Sequence, residues 1–251
     1  MAPRFFFSVI IPTFNSEIYI EECLNSIFIQ TFTDYEIIIV DKYSNDKTSE
    51  IVNKKRIKQQ NISFFVSRDN GIYDAMNKGV SFSKGKWIYF MGSDDRFFDE
   101  NVLQLVYQKI QISKTKFIYG NVIFRYSQTK YGEKFNLAKL IEEKNICHQG
   151  IFYEKSVFSQ IGKYNVKCKV YADRDFNIRC FMNRKFTRPI YINSTIAYYN
   201  EVDGFSAKNE DHYFRKLQGI YLSELQKTII YKVINTIKKI QFTVNAIYRN
   251  L

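Results

Sequence analysis

Trp87-Ile-Tyr-Phe-Met-Gly-Ser-Asp-Asp95 is the stretch whose reading decides the fold. Its first five residues form an uninterrupted apolar run, the pattern of a strand buried on both faces of a parallel sheet. Gly92, Ser93, Asp94 and Asp95 close that run. In an open α/β sheet, ligands gather beyond the carboxyl ends of the strands, so these residues stand where chemistry is expected. Two adjacent carboxylates repel one another unless they are exposed, hydrogen-bonded or bridged by a cation. In isolation such a pair is commonly a solvated turn. Directly after a buried strand it is placed to hold Mg2+ or Mn2+ through hard oxygen ligands, and such an ion can neutralise a departing diphosphate.

Upstream, the same plan repeats. Phe5 to Ile11, Tyr35 to Val40 and Ile62 to Val66 read as further buried strands separated by helical patterns, the signature of βα units feeding a mainly parallel sheet. Ser16 is expected to cap a first helix with Tyr19, Ile20, Cys23, Leu24, Ile27 and Phe28 on its apolar face. Asp46 and Thr48 introduce a second, which ends in the basic cluster at 54–58. A third runs through Tyr73, Met76 and Asn77 toward Phe82, and a fourth follows Asp99, whose carboxylate is placed to cap it. After the strand-like run Phe117 to Phe124 the pattern loosens, with 125–134 as a loop, so the second half is expected to elaborate the sheet edge and carry acceptor-binding machinery. The expected organisation is one main domain over 1–205, with a first half at about 1–125 and a second at 126–205, followed by a basic helical extension over 206–251.

The net charge of +12 is unevenly placed. Residues 1–125 hold 16 Lys and Arg against 14 Asp and Glu, and residues 126–251 hold 21 against 11, so the second half carries most of the excess. A basic half suits phosphate-bearing ligands, an anionic membrane surface or nucleic acid, and composition does not choose among them. From Tyr213 to Asn250 seven Lys and Arg accompany one Glu, with Leu225, Ile229, Val233, Ile237, Ile240, Val244 and Ile247 at spacings of three or four. This is a basic amphipathic helix or helix pair, which either packs on the catalytic core or docks on a membrane surface. The four cysteines, Cys23, Cys147, Cys168 and Cys180, have no CxxC spacing, which argues against a zinc site and for a reducing cytoplasm. No signal peptide or spanning helix is expected.

These residues together resemble glycosyltransferase family 2, the inverting transferases with a GT-A fold, and within it the bacterial capsule, lipopolysaccharide and colanic-acid type of subgroup. The resemblance rests on Ser8 to Asn15 (SVIIPTFN), Glu36 to Thr48 (EIIIVDKYSNDKT), Asp69 to Gly79 (DNGIYDAMNKG), Gly92 to Asp95 (GSDD), His148 with Gln149, and Asp173 to Asp175 (DRD). It implies a Rossmann-like nucleotide-diphospho-sugar transferase. By position, Asp41 looks like the carboxylate for the nucleotide base, with Pro12, Thr13 and Asn15 beside it; Asp94 would meet ribose or donor sugar, and Asp95 looks like the metal ligand. Asp69, Tyr73, Asp74, Asn77 and Lys78 resemble the stretch lining the donor site. Asp173 looks like the general base that takes the acceptor hydroxyl proton, with Asp175 as second candidate. Its other reading is a helix cap. His148 and Gln149 are implied near the active site, whereas His212 reads as a surface residue. Lys42 departs from the family's usual second acid after Asp41, and Ala172 precedes Asp173 where an acid is common.

The implied activity is transfer of a sugar, as a UDP-sugar, to a saccharide or polyprenyl-diphosphate-linked glycan, by a cytoplasmic enzyme peripheral to the membrane. A nucleotidyltransferase is the nearest alternative, but Pro12 to Glu17 lacks the glycines of a phosphate loop. Nucleic acid is not an expected partner: the aromatic residues fall within strand-like runs rather than among the basic ones, and no binding motif is present.

Overall fold

The computed structural model describes residues 4–183, 188–202 and 211–249, with side chains as far as 230. Four strands build the expected parallel block: β1 (Phe5–Thr13), β2 (Tyr35–Asp41), β3 (Ile62–Val66) and β4 (Gly85–Phe90). They lie in the order β3-β2-β1-β4, every neighbouring pair parallel. Beyond β4 the sheet becomes mixed, a refinement of the mainly parallel expectation. β8 (Ile151–Glu154) runs antiparallel between β4 and β6 (Phe117–Phe124), and β9 (Ile190–Tyr199) pairs parallel with β6. Two short strands finish the edge: β5 (Arg96–Phe97) on β9 and β7 (Lys130–Tyr131) on β6. The segment 125–134, expected to be a loop, therefore contains a strand that pairs through Val122 and Ile123.

Period-two alternation sends successive side chains of each strand to opposite faces. Phe7, Val9 and Ile11 face one core with Ile37, Ile39, Trp87 and Tyr89, while Ile10, Ile38, Val40, Ile88 and Phe90 face the other. The first core is covered by α1 (Ile20–Phe28), α2 (Thr48–Lys58) and α4 (Val102–Ile112). The second is covered by α3 (Ile72–Phe82), α5 (Leu137–Glu142), α6 (Ser156–Gln160) and α7 (Ala172–Met182). Both faces are thus apolar, which explains why the strands read as continuous hydrophobic runs. α3 lies so close to β1 that a Cβ on Gly79 would stand 2.3 Å from Ile10 Cγ2.

Helix starts differ from expectation in two places. Ser16 does not cap α1: its N–H donates to Thr48 Oγ1 and its hydroxyl pairs with that of Ser93, so it joins three loops at the carboxyl edge. Asp99 accepts the Asn101 N–H just ahead of α4, and it is Gln30 Oε1 that takes the Leu103 N–H inside the first turn. Asp46, as expected, accepts the Thr48 N–H that opens α2.

The basic C-terminal segment is a single helix, α8 (His212–Arg249), not a pair. Its first turns belong to the second core: Phe214 is buried there, and Leu217, Tyr221, Leu222 and Leu225 pack against it. The expected boundary at 205/206 and the expected apolar positions from Val233 to Ile247 lie outside the described residues or side chains. No helix among the described residues is long and apolar enough to cross a membrane. Replacing Gly79 with Val should force α3 off β1 and cost on the order of 1–3 kcal/mol, read as a lower melting temperature in calorimetry; an unchanged melting point would refute the close-packing argument.

Candidate active site

The carboxyl ends of β1, β2 and β4 converge as their parallel pairing requires, and two adjoining cavities open there. The first, about 360 Å3, is lined by Pro12, Thr13, Lys42, Asp69 and Asp74 together with the start of α3. The second, about 300 Å3, holds Asp94, Asp95, Asn145, His148, Gln149 and Asp173. Ile72 and Tyr73 line both, so the cavities share a wall. Ser93 faces the first and the two acids after it face the second, which puts the acidic loop at their junction.

That loop is tightly folded. A Cβ on Gly92 would stand 2.4 Å from Asp95 Oδ2 and 2.8 Å from Asp94 Oδ1, so only glycine fits under the two carboxylates. Asp95 is 3% exposed; its Oδ2 accepts from Gln149 Nε2 at 2.5 Å and its Oδ1 from the Asn200 N–H at 2.8 Å. Burial first, and the charge of Asp94 second, push its pKa up to about 8, well above the usual carboxylate range. The site is therefore short of positive charge, and a carboxylate with two accepted bonds still has lone pairs to offer. Among the described residues no three His, Cys, Asp or Glu side chains converge as a metal cage. The residues fit a cation whose coordination is completed by substrate oxygens and water, the usual habit of Mg2+.

Asp173 is the second residue of α7 and so does not cap it; the first-turn N–H dipoles favour its charge. Its Oδ1 accepts from Tyr73 Oη at 3.0 Å and the Arg174 N–H at 2.8 Å, and its Oδ2 from Asn145 Nδ2 at 2.7 Å. Against these bonds, burial dominates and raises its pKa to about 6. His148 Nδ1 lies 3.9 Å from Asp173 Oδ2, but burial lowers the imidazole pKa to about 4, so the ring is neutral and this contact is no ion pair. Its Nε2 is buried with no partner among the described residues.

Several expected site residues lie elsewhere. Asp41 is fully buried and lines neither cavity; its oxygens accept from the Thr13 and Ser44 hydroxyls and the Ser44 N–H, which ties β1 to the loop after β2. Asn15, at φ 49°, is exposed and accepts the Asn45 N–H, bracing the same loop. Asn77 spends both amide atoms on the Tyr164 backbone, 3.0 Å each way, and is thus a clamp between α3 and the 164 loop, not a donor contact. Lys78 is folded onto Asp74, the Ser67 hydroxyl and the Arg68 carbonyl instead of facing a phosphate. Asp175 is held by Arg179 at 2.8 Å and by Tyr221 Oη at 2.5 Å, and it lines neither cavity. Tyr73, expected as a donor contact, reaches Asp173. His212 is exposed, as expected.

Two contributors had no motif to announce them. Asn145 belongs to a relay in which Tyr153 Oη donates to Asn177 Oδ1 and Asn177 Nδ2 to Asn145 Oδ1, fixing the amide that holds Asp173. Asn200 acts through its backbone, which any residue except proline supplies. Lys42 lines the first cavity with its Nζ 3.6 Å from Asp69 Oδ1.

Comparison with known proteins agrees with this geometry. The model of the family described as glycosyl transferase family 2 matches residues 8–162. A "PGL/p-HBAD biosynthesis glycosyltransferase" of Mycobacterium bovis is 40% identical over 215 residues, covering 84% of this chain and 82% of that protein. The "Poly(ribitol-phosphate) beta-N-acetylglucosaminyltransferase TarP" of Staphylococcus aureus is 30% identical, covering 90% and 73%. Among solved structures, S. aureus TarS 1-349 in complex with UDP-GlcNAc superposes with a TM-score of 0.70 at 21% identity, over 82% of this chain and 61% of that one. The fold is GT-A, and the chain belongs to glycosyltransferase family 2.

Proposed function

We propose that this glycosyltransferase inverts the anomeric centre of a nucleoside diphosphate sugar, a UDP-sugar, as it transfers the sugar to a saccharide or polyprenyl-diphosphate-linked glycan in surface polysaccharide synthesis. The observation that carries this reading is the placing of Asp173, buried and of raised pKa, in one cavity with Asp94 and Asp95. The names of the mycobacterial and staphylococcal relatives support the surface-glycan context.

In this reading the first cavity takes the nucleotide, flanked by Pro12, Thr13, Asp69, Asp74 and Lys42, and residues 1–125 supply most of it. Asp41 and Asn15 act at one remove, by setting the loop. The second cavity takes the sugar and the acceptor: Asp94 meets ribose or donor sugar, and Phe124, Tyr131 and Tyr199 form an apolar wall suited to a sugar ring. Asp95, with Asp94 beside it, would hold Mg2+ or Mn2+, which when bound offsets the charge developing on the diphosphate. Asp173 accepts the proton of the acceptor hydroxyl. The acceptor oxygen forms its bond to the anomeric carbon from the face opposite the diphosphate. The bond to the diphosphate breaks, and its electron pair leaves with that group. Neutral His148 lines the acceptor side, and Gln149 fixes Asp95.

The lysines and arginines of α8 suit an anionic lipid surface, each contributing about 1 kcal/mol near it; the enzyme would then work peripherally at the cytoplasmic face. Absence of salt-sensitive sedimentation with phosphatidylglycerol vesicles would remove this part of the reading.

The central test is a nucleotide-release screen over UDP-, GDP- and TDP-sugars with Mn2+ and lipid-linked acceptors. Asp173→Asn should bind donor normally and lose about 100-fold or more in turnover; wild-type turnover in that variant refutes the base assignment. Since the carboxylate is the active form, kcat/KM of the native enzyme should rise with pH through about 6 and level off above it. Asp95→Ala should weaken donor binding in the presence of Mn2+ and little in its absence, by titration calorimetry; equal loss in both conditions would exclude a metal role.

A further inference from the structure

Asp211 sits 4% exposed at the start of α8, outside every motif named above. Its Oδ1 accepts the Phe214 N–H at 2.9 Å, an ordinary N-cap bond. Its Oδ2 does something a cap does not need: it accepts the N–H groups of Val170 at 2.9 Å and Tyr171 at 3.1 Å. Val170 and Tyr171 line the second cavity and lead directly into α7, whose second residue is Asp173. Val170 is tied to the base a second time. Tyr73 Oη lies 2.6 Å from the Val170 carbonyl and 3.0 Å from Asp173 Oδ1, so its single proton is shared between the two acceptors, and the Val170 peptide is held on its N–H side by Asp211 and on its carbonyl side by the tyrosine that touches Asp173.

We propose that Asp211 is a positioning residue for the transfer reaction, one carboxylate that caps α8 and simultaneously locks the 170–171 backbone, thereby fixing Asp173 and Tyr73 in the orientation the acceptor requires. The inference rests on Asp173 being the base. A charged acceptor of two backbone N–H groups makes a stronger and more directional tether than a neutral one. It is also buried, so water does not compete for the same groups. The early turns of α8 brace the arrangement: Gln218 Nε2 donates to the Ile141 carbonyl, and Arg174, whose Cζ lies 5.3 Å from the Phe214 ring centre, donates to the Leu140 and Ile141 carbonyls. Displacement of a reacting group by about 1 Å costs on the order of 100-fold in rate, so loss of this tether shows in turnover before it shows in donor binding.

The two jobs of Asp211 can be separated. Asp211→Ser and Asp211→Thr each keep a good N-cap for α8 but are too short to span to Val170 and Tyr171. Both should melt within a few degrees of the native enzyme, hold UDP-GlcNAc or the donor found by the screen with a Kd within about twofold, and lose 10-fold or more in kcat for nucleotide release. Tyr221→Phe, which loosens α8 from Asp175 without touching the 170–171 backbone, should keep native turnover. A folded Asp211→Ser enzyme with native kcat overturns the proposal, as does a Tyr221→Phe enzyme equally impaired. If Asp173→Asn retains turnover, the base assignment itself has failed; if only Asp173→Asn loses it, the base stands and the role of Asp211 falls.

Discussion

A sheet covered on both faces by apolar side chains leaves charge only one kind of place to go, the ends of its strands. That constraint organises this enzyme. β1, β2 and β4 present isoleucine, valine and aromatic side chains to two separate cores, and their polar residues appear where the strands stop. One exception proves instructive. Glu36 is buried at the opposite end of β2, and it survives there because the Ser8 hydroxyl and the Lys84 and Gly85 N–H groups all bond its Oε1. At Asp95 and Asp173 burial outweighs the accepted hydrogen bonds, and it raises the carboxylate pKa to about 8 and about 6.

Desolvation therefore acts twice in the site, with opposite chemical results. It raises Asp173 toward neutrality of pH, where a carboxylate is a competent proton acceptor, and it lowers His148, which keeps the imidazole uncharged beside it. A charged imidazole 3.9 Å from Asp173 Oδ2 would lower the proton affinity of the carboxylate. Asn145 and Tyr73 hold the carboxylate by neutral donors instead, orienting it without supplying a full positive charge. At Asp95 the repulsion of Asp94 adds to burial, a deficit that a divalent cation and its diphosphate would relieve together.

α8 is more than a basic appendage. Its first turns complete the core that carries α7, through Phe214 in the apolar layer, Tyr221 on Asp175 and Asp211 on the 170–171 backbone. The same helix runs on from the neighbourhood of Asp173 to Arg249.

Much of this was written in the chain itself. Hydrophobic runs without alternation can only be strands buried on both sides, so the parallel block and the placing of Asp94, Asp95 and the Pro12 loop followed from composition and order alone; the family motifs then singled out Asp173. What order could not settle was which polar groups face a cavity and which face each other. Asn77, Lys78 and Asp175 stand in motif segments, yet their hydrogen bonds are spent on Tyr164, on the loop before α3 and on Arg179 with Tyr221. Asn145 and Asp211 stand in no motif, yet they reach the base or its backbone. Strand burial is a property of local side-chain pattern and is legible in one dimension. Hydrogen-bond partners 28 to 100 residues apart, such as Asn145 and Tyr73 with Asp173, exist only once packing has brought their segments together, and the tertiary structure alone decides them.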